Sequence, residues 1–107
     1  MLEKRFTYTK VSEKKIEKIV DDNNVVINHM TLLKDAGLPV HLSNSNVYMI
    51  IINGKMSIAL DDQDFHQYEE GDIINIPYNV KMDVRNFSED ILEFFVVKAP
   101  NPKDMKR

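Results

Sequence analysis

The chain has 107 residues, 43% of them hydrophobic and 29% charged, with a formal net charge of -3. That is the size and texture of one globular domain with one core, and it excludes a disordered segment. There is no cysteine, which excludes disulfides, thiolate zinc sites and a catalytic thiol. The mild acidity and dispersed basic residues lack the electrostatic footprint of a nucleic-acid binder.

The opening Met1-Leu2-Glu3-Lys4-Arg5 leads into no apolar run, so no secretory leader is expected. The longest apolar stretch, Val47 to Ile52, is strand-sized, so no membrane partner is expected and the location expected is the cytoplasm. Residues 1–24 form a polar segment. Within it, Ser12 followed by Glu13 and the run through Val20 suits an N-capped short helix, and the same residues also suit an irregular strand. Asp21-Asp22-Asn23-Asn24 signals a turn.

From Val25 the texture becomes β-branched. Val25 to Leu33 reads as a strand closed by Lys34-Asp35-Ala36-Gly37. Val47 to Ile52 is apolar on both faces, with Val47 and Met49 on one and Tyr48, Ile50 and Ile52 on the other; another sheet or a second subunit should cover the outer one. Asn53-Gly54 supplies a tight hairpin, and Lys55 to Leu60 returns with Met56, Ile58 and Leu60 on one face. Phe65 to Tyr68 is a short strand ending at Gly71, which like Gly54 sits where a tight hairpin demands positive φ, and Ile73 to Ile76 leads to Pro77. Val80 to Asn86 alternates strictly, with Val80, Met82 and Val84 inward, and Leu92 to Val97 is the last strand. Short strands at this spacing predict an all-β sandwich or small barrel.

Two stretches are similar to the paired motifs of the cupin superfamily. Gly71, Pro77 and Asn86 stand at the spacing of that family's second motif, in which Asn79 replaces a glycine and Met82 stands at the histidine ligand's position. For the first motif, His41 takes the place of the first histidine, Ser43 of the second, and Val47 of the glutamate that precedes Gly54. The resemblance implies a small double-stranded β-helix (jelly-roll) barrel over about residues 25–100, in a single domain spanning 1–107. It also implies a homodimer.

The four positions that the resemblance assigns to a metal are therefore His41, Ser43, Val47 and Met82. A hard or borderline divalent ion wants about three nitrogen or carboxylate ligands, and only His41 qualifies. No metal or other cofactor is expected. His41, Met49 and Met82 also suit copper(I), against the plainer reading that methionine fills core gaps. His29 is not assignable to either sheet face, and His66 falls in the hairpin between motifs. Glu93 is a buried carboxylate if Phe95 and Val97 face inward, and a solvated acid if Leu92, Phe94 and Val96 do.

Three functions stay open. The leading one is a non-enzymatic barrel that binds a small molecule through His41, Ser43, Met49, Tyr78 and Met82, with the Ser43-Asn44-Ser45-Asn46 loop at its mouth. A second is an enzyme, either metal-free with His41 as acid or base or metal-dependent with atypical ligands. The third is an interaction module joined through the outer sheet face.

Overall fold

The structure, a computed structural model, describes residues 2–105. Nine strands follow one another: β1 (Lys15–Asp21), β2 (Val26–Leu32), β3 (His41–Leu42), β4 (Val47–Asn53), β5 (Lys55–Leu60), β6 (His66–Glu69), β7 (Ile73–Ile76), β8 (Lys81–Arg85) and β9 (Leu92–Lys98). A short 3-10 turn at Pro102–Asp104 ends the described chain. All the pairings are antiparallel, in a five-stranded sheet of order β1-β2-β9-β4-β7 facing a four-stranded sheet of order β3-β8-β5-β6. This is the all-β double-layered barrel that the strand spacing predicts.

Period-2 alternation decides what fills it. Met30 and Leu32 on β2, Val47, Met49 and Ile51 on β4, and Leu92, Phe94 and Val96 on β9 face Met56, Ile58, Met82 and Val84 of the opposite sheet in one buried cluster. Each fully buried side chain of this size is worth roughly 1.5–3 kcal/mol.

The helix reading of Ser12 to Val20 is corrected. Residues 15–21 form β1, paired along β2 from Lys15 opposite Thr31 to Asp21 opposite Val26, with a bulge between Lys18 and Val20. Ile16, Ile19 and Val20 have helical spacing, but pairing with β2 satisfies the β2-facing backbone groups of this edge strand and overrides it. The polar segment thus contributes a sheet strand, flanked by residues 2–14 and 22–24, which lack regular structure.

The hairpins expected at Gly54 and Gly71 are corrected too. β4 pairs with β7 and β9, whereas β5 pairs with β6 and β8, so both glycines sit at corners where the chain changes sheet. Glu70 N–H bonds to Gly54 O at 3.1 Å and Gly71 N–H to Ile51 O at 3.0 Å, fastening the corners together. Gly54 has φ +83°, and a Cβ there would lie 2.4 Å from Ile91 O, so no other residue fits. Asn79, standing where the cupin pattern has glycine, has φ +67°. Asparagine is among the few residues that tolerate this left-handed region, so the replacement keeps the turn.

Candidate functional site

One end of the barrel carries Ser43, Ser45 and Asn46, whose side-chain oxygens are already engaged. Ser43 is buried. Its Oγ donates to Pro77 O at 2.6 Å and accepts from Val80 N–H at 2.8 Å. Its backbone adds Ser43 N–H to Val80 O and Asn79 N–H to Ser43 O. Ser45, equally buried, donates from Oγ to Pro100 O at 2.6 Å. Asn46 accepts through its side chain from Asn75 and through its carbonyl from Ala99. Within the Ser43–Asn46 loop, only Asn44 presents an exposed side chain free of these bonds.

The β3–β8 register sets His41 opposite Met82, so the two share a face at the barrel mouth. His41 is exposed, and its Nδ1 lies 2.8 Å from Pro39 O. A carbonyl only accepts, so Nδ1 carries the proton and the neutral ring offers Nε2 as an acceptor. Met82, by contrast, is 3% exposed and Met49, on the opposite sheet, 1%. Both thioethers are packed in the core cluster, which is the gap-filling role of methionine. Tyr78 is half-buried. It joins Leu42, Ser43, Asn44, Asn79, Pro102 and Met105 in a cleft of about 140 Å³. Of the five residues expected to bind a ligand, this cleft brings together Ser43 and Tyr78; His41, Met49 and Met82 lie outside its lining.

The donor set does not fit the divalent metal of the cupin pattern. Of its four positions, Val47 is fully buried and has no donor atom, Ser43 has its hydroxyl committed in both directions, and Met82 is a packed thioether. One imidazole remains. Among the described residues no group of three histidine or acidic side chains is spaced to hold an ion.

A second, wider cleft opens at the other end of the barrel, between Asn53–Lys55, Glu69–Glu70 and Glu89–Ile91. Beside it Asn86, the last residue of the second motif, is fully buried. Its Nδ2 donates to Leu32 O and Asp90 O, and its Oδ1 accepts from Ser88 N–H. This motif position serves the fold.

Sequence reasoning missed the most heavily bonded histidine. Leu92, Phe94 and Val96 face inward, which puts Glu93 on the outer face of the five-stranded sheet beside His29. His29 is fully buried there, between Glu17 of β1 and Glu93 of β9, with the Tyr8 ring over it at 4.4 Å between centroids. Glu93 is thus neither an inward acid nor a merely solvated one. The signal that finds this cluster is cross-strand register, which a single sequence does not supply. His66 is exposed, as its hairpin position predicts.

The sheet orders and the two glycine corners define a double-stranded β-helix. No family model matches the chain. It is 47% identical over 106 residues, 98% of its length, to an uncharacterized protein of Methanocaldococcus jannaschii, MJ0764, of which it covers 91%. The crystal structure of that protein is described as an RmlC-like cupin family protein with a double-stranded β-helix fold; it superposes with a TM-score of 0.93 at 48% identity, covering 96% of this chain and 95% of the other. Our chain belongs to the cupin superfamily. A cupin superfamily protein from Desulfitobacterium hafniense (TM-score 0.74, 11% identity, 87% of this chain and 83% of the other) shares the fold alone. So does a double-stranded β-helix protein from Klebsiella pneumoniae (TM-score 0.76, 15% identity, 88% and 83%).

Proposed function

We propose that this cupin binds a small polar molecule at the barrel mouth, in the cytoplasm and without a metal at the usual position. The supporting observation is the cleft beside the second motif, where Ser43, Asn44, Tyr78 and Asn79 converge. Its volume of about 140 Å³ is that of about five liquid waters, well below a drug-sized pocket. A ligand of a few heavy atoms fits it. Met49 and Met82 then act from behind, as packing that keeps the rim rigid, and His41 offers Nε2 at the neighbouring edge.

Titrating the 15N-labelled chain with a panel of small hydroxy, amide and carboxylate metabolites tests this. Chemical-shift changes confined to residues 42–44 and 78–79, with a raised melting temperature, are the expected result. A panel that moves none of these signals ends the reading. So does stoichiometric iron, manganese, nickel or zinc in tag-free protein that is lost in His41→Ala.

A metal-free acid/base enzyme is the second reading, favoured by the bond from His41 Nδ1–H to Pro39 O, which orients Nε2 as a base. Isomerase-type turnover abolished by His41→Gln, with the fold intact, would select it. Either way we propose a homodimer. On the outer face Tyr48 and Ile73 are 41% and 65% exposed beside half-buried Ile50 and Ile52, an apolar row that a second copy covers. A monomer in sedimentation at micromolar concentration refutes that part. No role is proposed for nucleic acid or membrane; no helix of the described residues is long and apolar enough to cross a bilayer.

A further inference from the structure

Residues 2–14 form an irregular strap that meets the outer face of the five-stranded sheet at Tyr8 and Thr9, and every hydrogen bond described for them runs from Thr9 to Glu17. Thr9 N–H donates to Glu17 Oε1 and Thr9 Oγ1 to Glu17 Oε2, both at 2.9 Å. Aromatic packing adds one more hold: the Tyr8 ring sits 4.4 Å from the His29 ring and edge-on to Phe95 at 4.9 Å. Glu17 is therefore the joint between strap and sheet.

On its sheet side, Glu17 Oε1 lies 3.2 Å from His29 Nδ1, while His29 Nε2 lies 2.7 Å from Glu93 Oε2. Ionised carboxylates only accept, so a ring with two protons bonds both acids. A ring with one proton bonds one acid and turns a lone pair on the other. The remaining proton stays with the shorter contact, to Glu93, and the loss falls on Glu17. Four elements surround the imidazole. β1 supplies Glu17 and, 3.9 Å from it, Lys15. β9 supplies Glu93 and the uncharged Phe95. The strap supplies Tyr8, and β2 itself supplies Thr31, whose buried hydroxyl has no described partner. The Thr9 N–H holds the Glu17 carboxyl below the usual range, against the opposing effect of burial, and the Thr9 hydroxyl, His29 and Lys15 add to it. Glu17 thus remains ionised throughout the range in which imidazoles titrate.

We infer that the proton on His29 Nδ1 is a latch for the N-terminal strap: Glu17 holds Thr9 in place while that proton is present, and residues 2–14 lift when it leaves. The sign follows from the geometry. Rising pH opens the latch. Opening uncovers Phe95, the cross-strand neighbour of Ile50, and so extends the apolar row of β4.

The test is an NMR titration of the full-length 15N-labelled protein from about pH 5 to about pH 9. The His29 ring nitrogens and the Thr9 amide are followed together. The expected result is a shared midpoint, with Thr9 amide exchange, corrected for its intrinsic pH dependence, accelerating roughly tenfold above it. In Glu17→Gln the Thr9 amide should no longer follow the ring. A Thr9 amide whose protection stays constant through the His29 titration of the unmodified chain overturns the inference, whether or not the variant folds. A Glu17→Gln chain that keeps the full coupling overturns it too.

Discussion

His41 and His29 are the same residue in opposite circumstances, and the contrast separates two regions of the barrel. His41 stands where the cupin pattern places a metal ligand, yet it is exposed and meets only the carbonyl two residues back. His29 belongs to no motif, yet it is fully buried with an acid on each ring nitrogen, on strands brought in from positions 17 and 93. Motif position alone does not mark where polar groups interact strongly; strand pairing does.

The widest separation between the regions comes from removing each imidazole. His29 is the buried member of a hydrogen-bonded group whose two carboxylates still reach solvent, so His29→Leu should lower the unfolding free energy by roughly 1–3 kcal/mol through its lost hydrogen bonds and packing. His41→Leu, at an exposed site, should stay within about 0.5 kcal/mol. Urea denaturation of both variants measures this, and equal losses would erase the distinction.

Asn86 sharpens the point from within the motif. Asn86→Ala leaves Leu32 O, Asp90 O and Ser88 N–H without their side-chain partner. It should cost about 2–3 kcal/mol with no effect on ligand shifts at the mouth. Ser43→Ala is smaller, about 1–2 kcal/mol in the same denaturation, because the backbone bonds of Ser43 to residues 79 and 80 survive.

The smallest effect is with acid. The Glu17 carboxyl is held low chiefly by Thr9 N–H, and that of Asp21 chiefly by the Asn101 side chain. A depressed folded-state pKa adds stability that is complete above the ordinary carboxyl range, about pH 4.5, and that fades as pH falls through the depressed value. Both acids lie on β1. Hydrogen exchange should therefore show β1 loosening in acid before β4 or β9; simultaneous loss across the sheet would refute this.

Much of the barrel was legible because its signals are local. Alternation in Val80–Arg85 gave that strand's inward face, and Gly54, Gly71 and Pro77 marked the turns, whereas Leu92–Val97 is apolar on both faces and left the side of Glu93 open. Two things were not. Ser12, Glu13 and the Ile16–Ile19–Val20 spacing mimic a helix, and only pairing with β2 overrides them. Whether a glycine turn closes a hairpin or changes sheet depends on partners far along the chain, so the corners at 54 and 71 looked like hairpins. At the site, the missing metal donors are visible residue by residue. The commitment of Ser43 to Pro77 and Val80 is not, since it needs β3 folded against the loop that leads into β8.

That commitment bears on any attempt to engineer a metal into the domain. Writing histidine at 43 and glutamate at 47 would supply ligands but remove the rivet that ties the mouth loops and place a carboxylate in a fully buried apolar seat. Each donor added disturbs a packed or bonded position, so building metal chemistry here runs uphill unless the loops are rebuilt first.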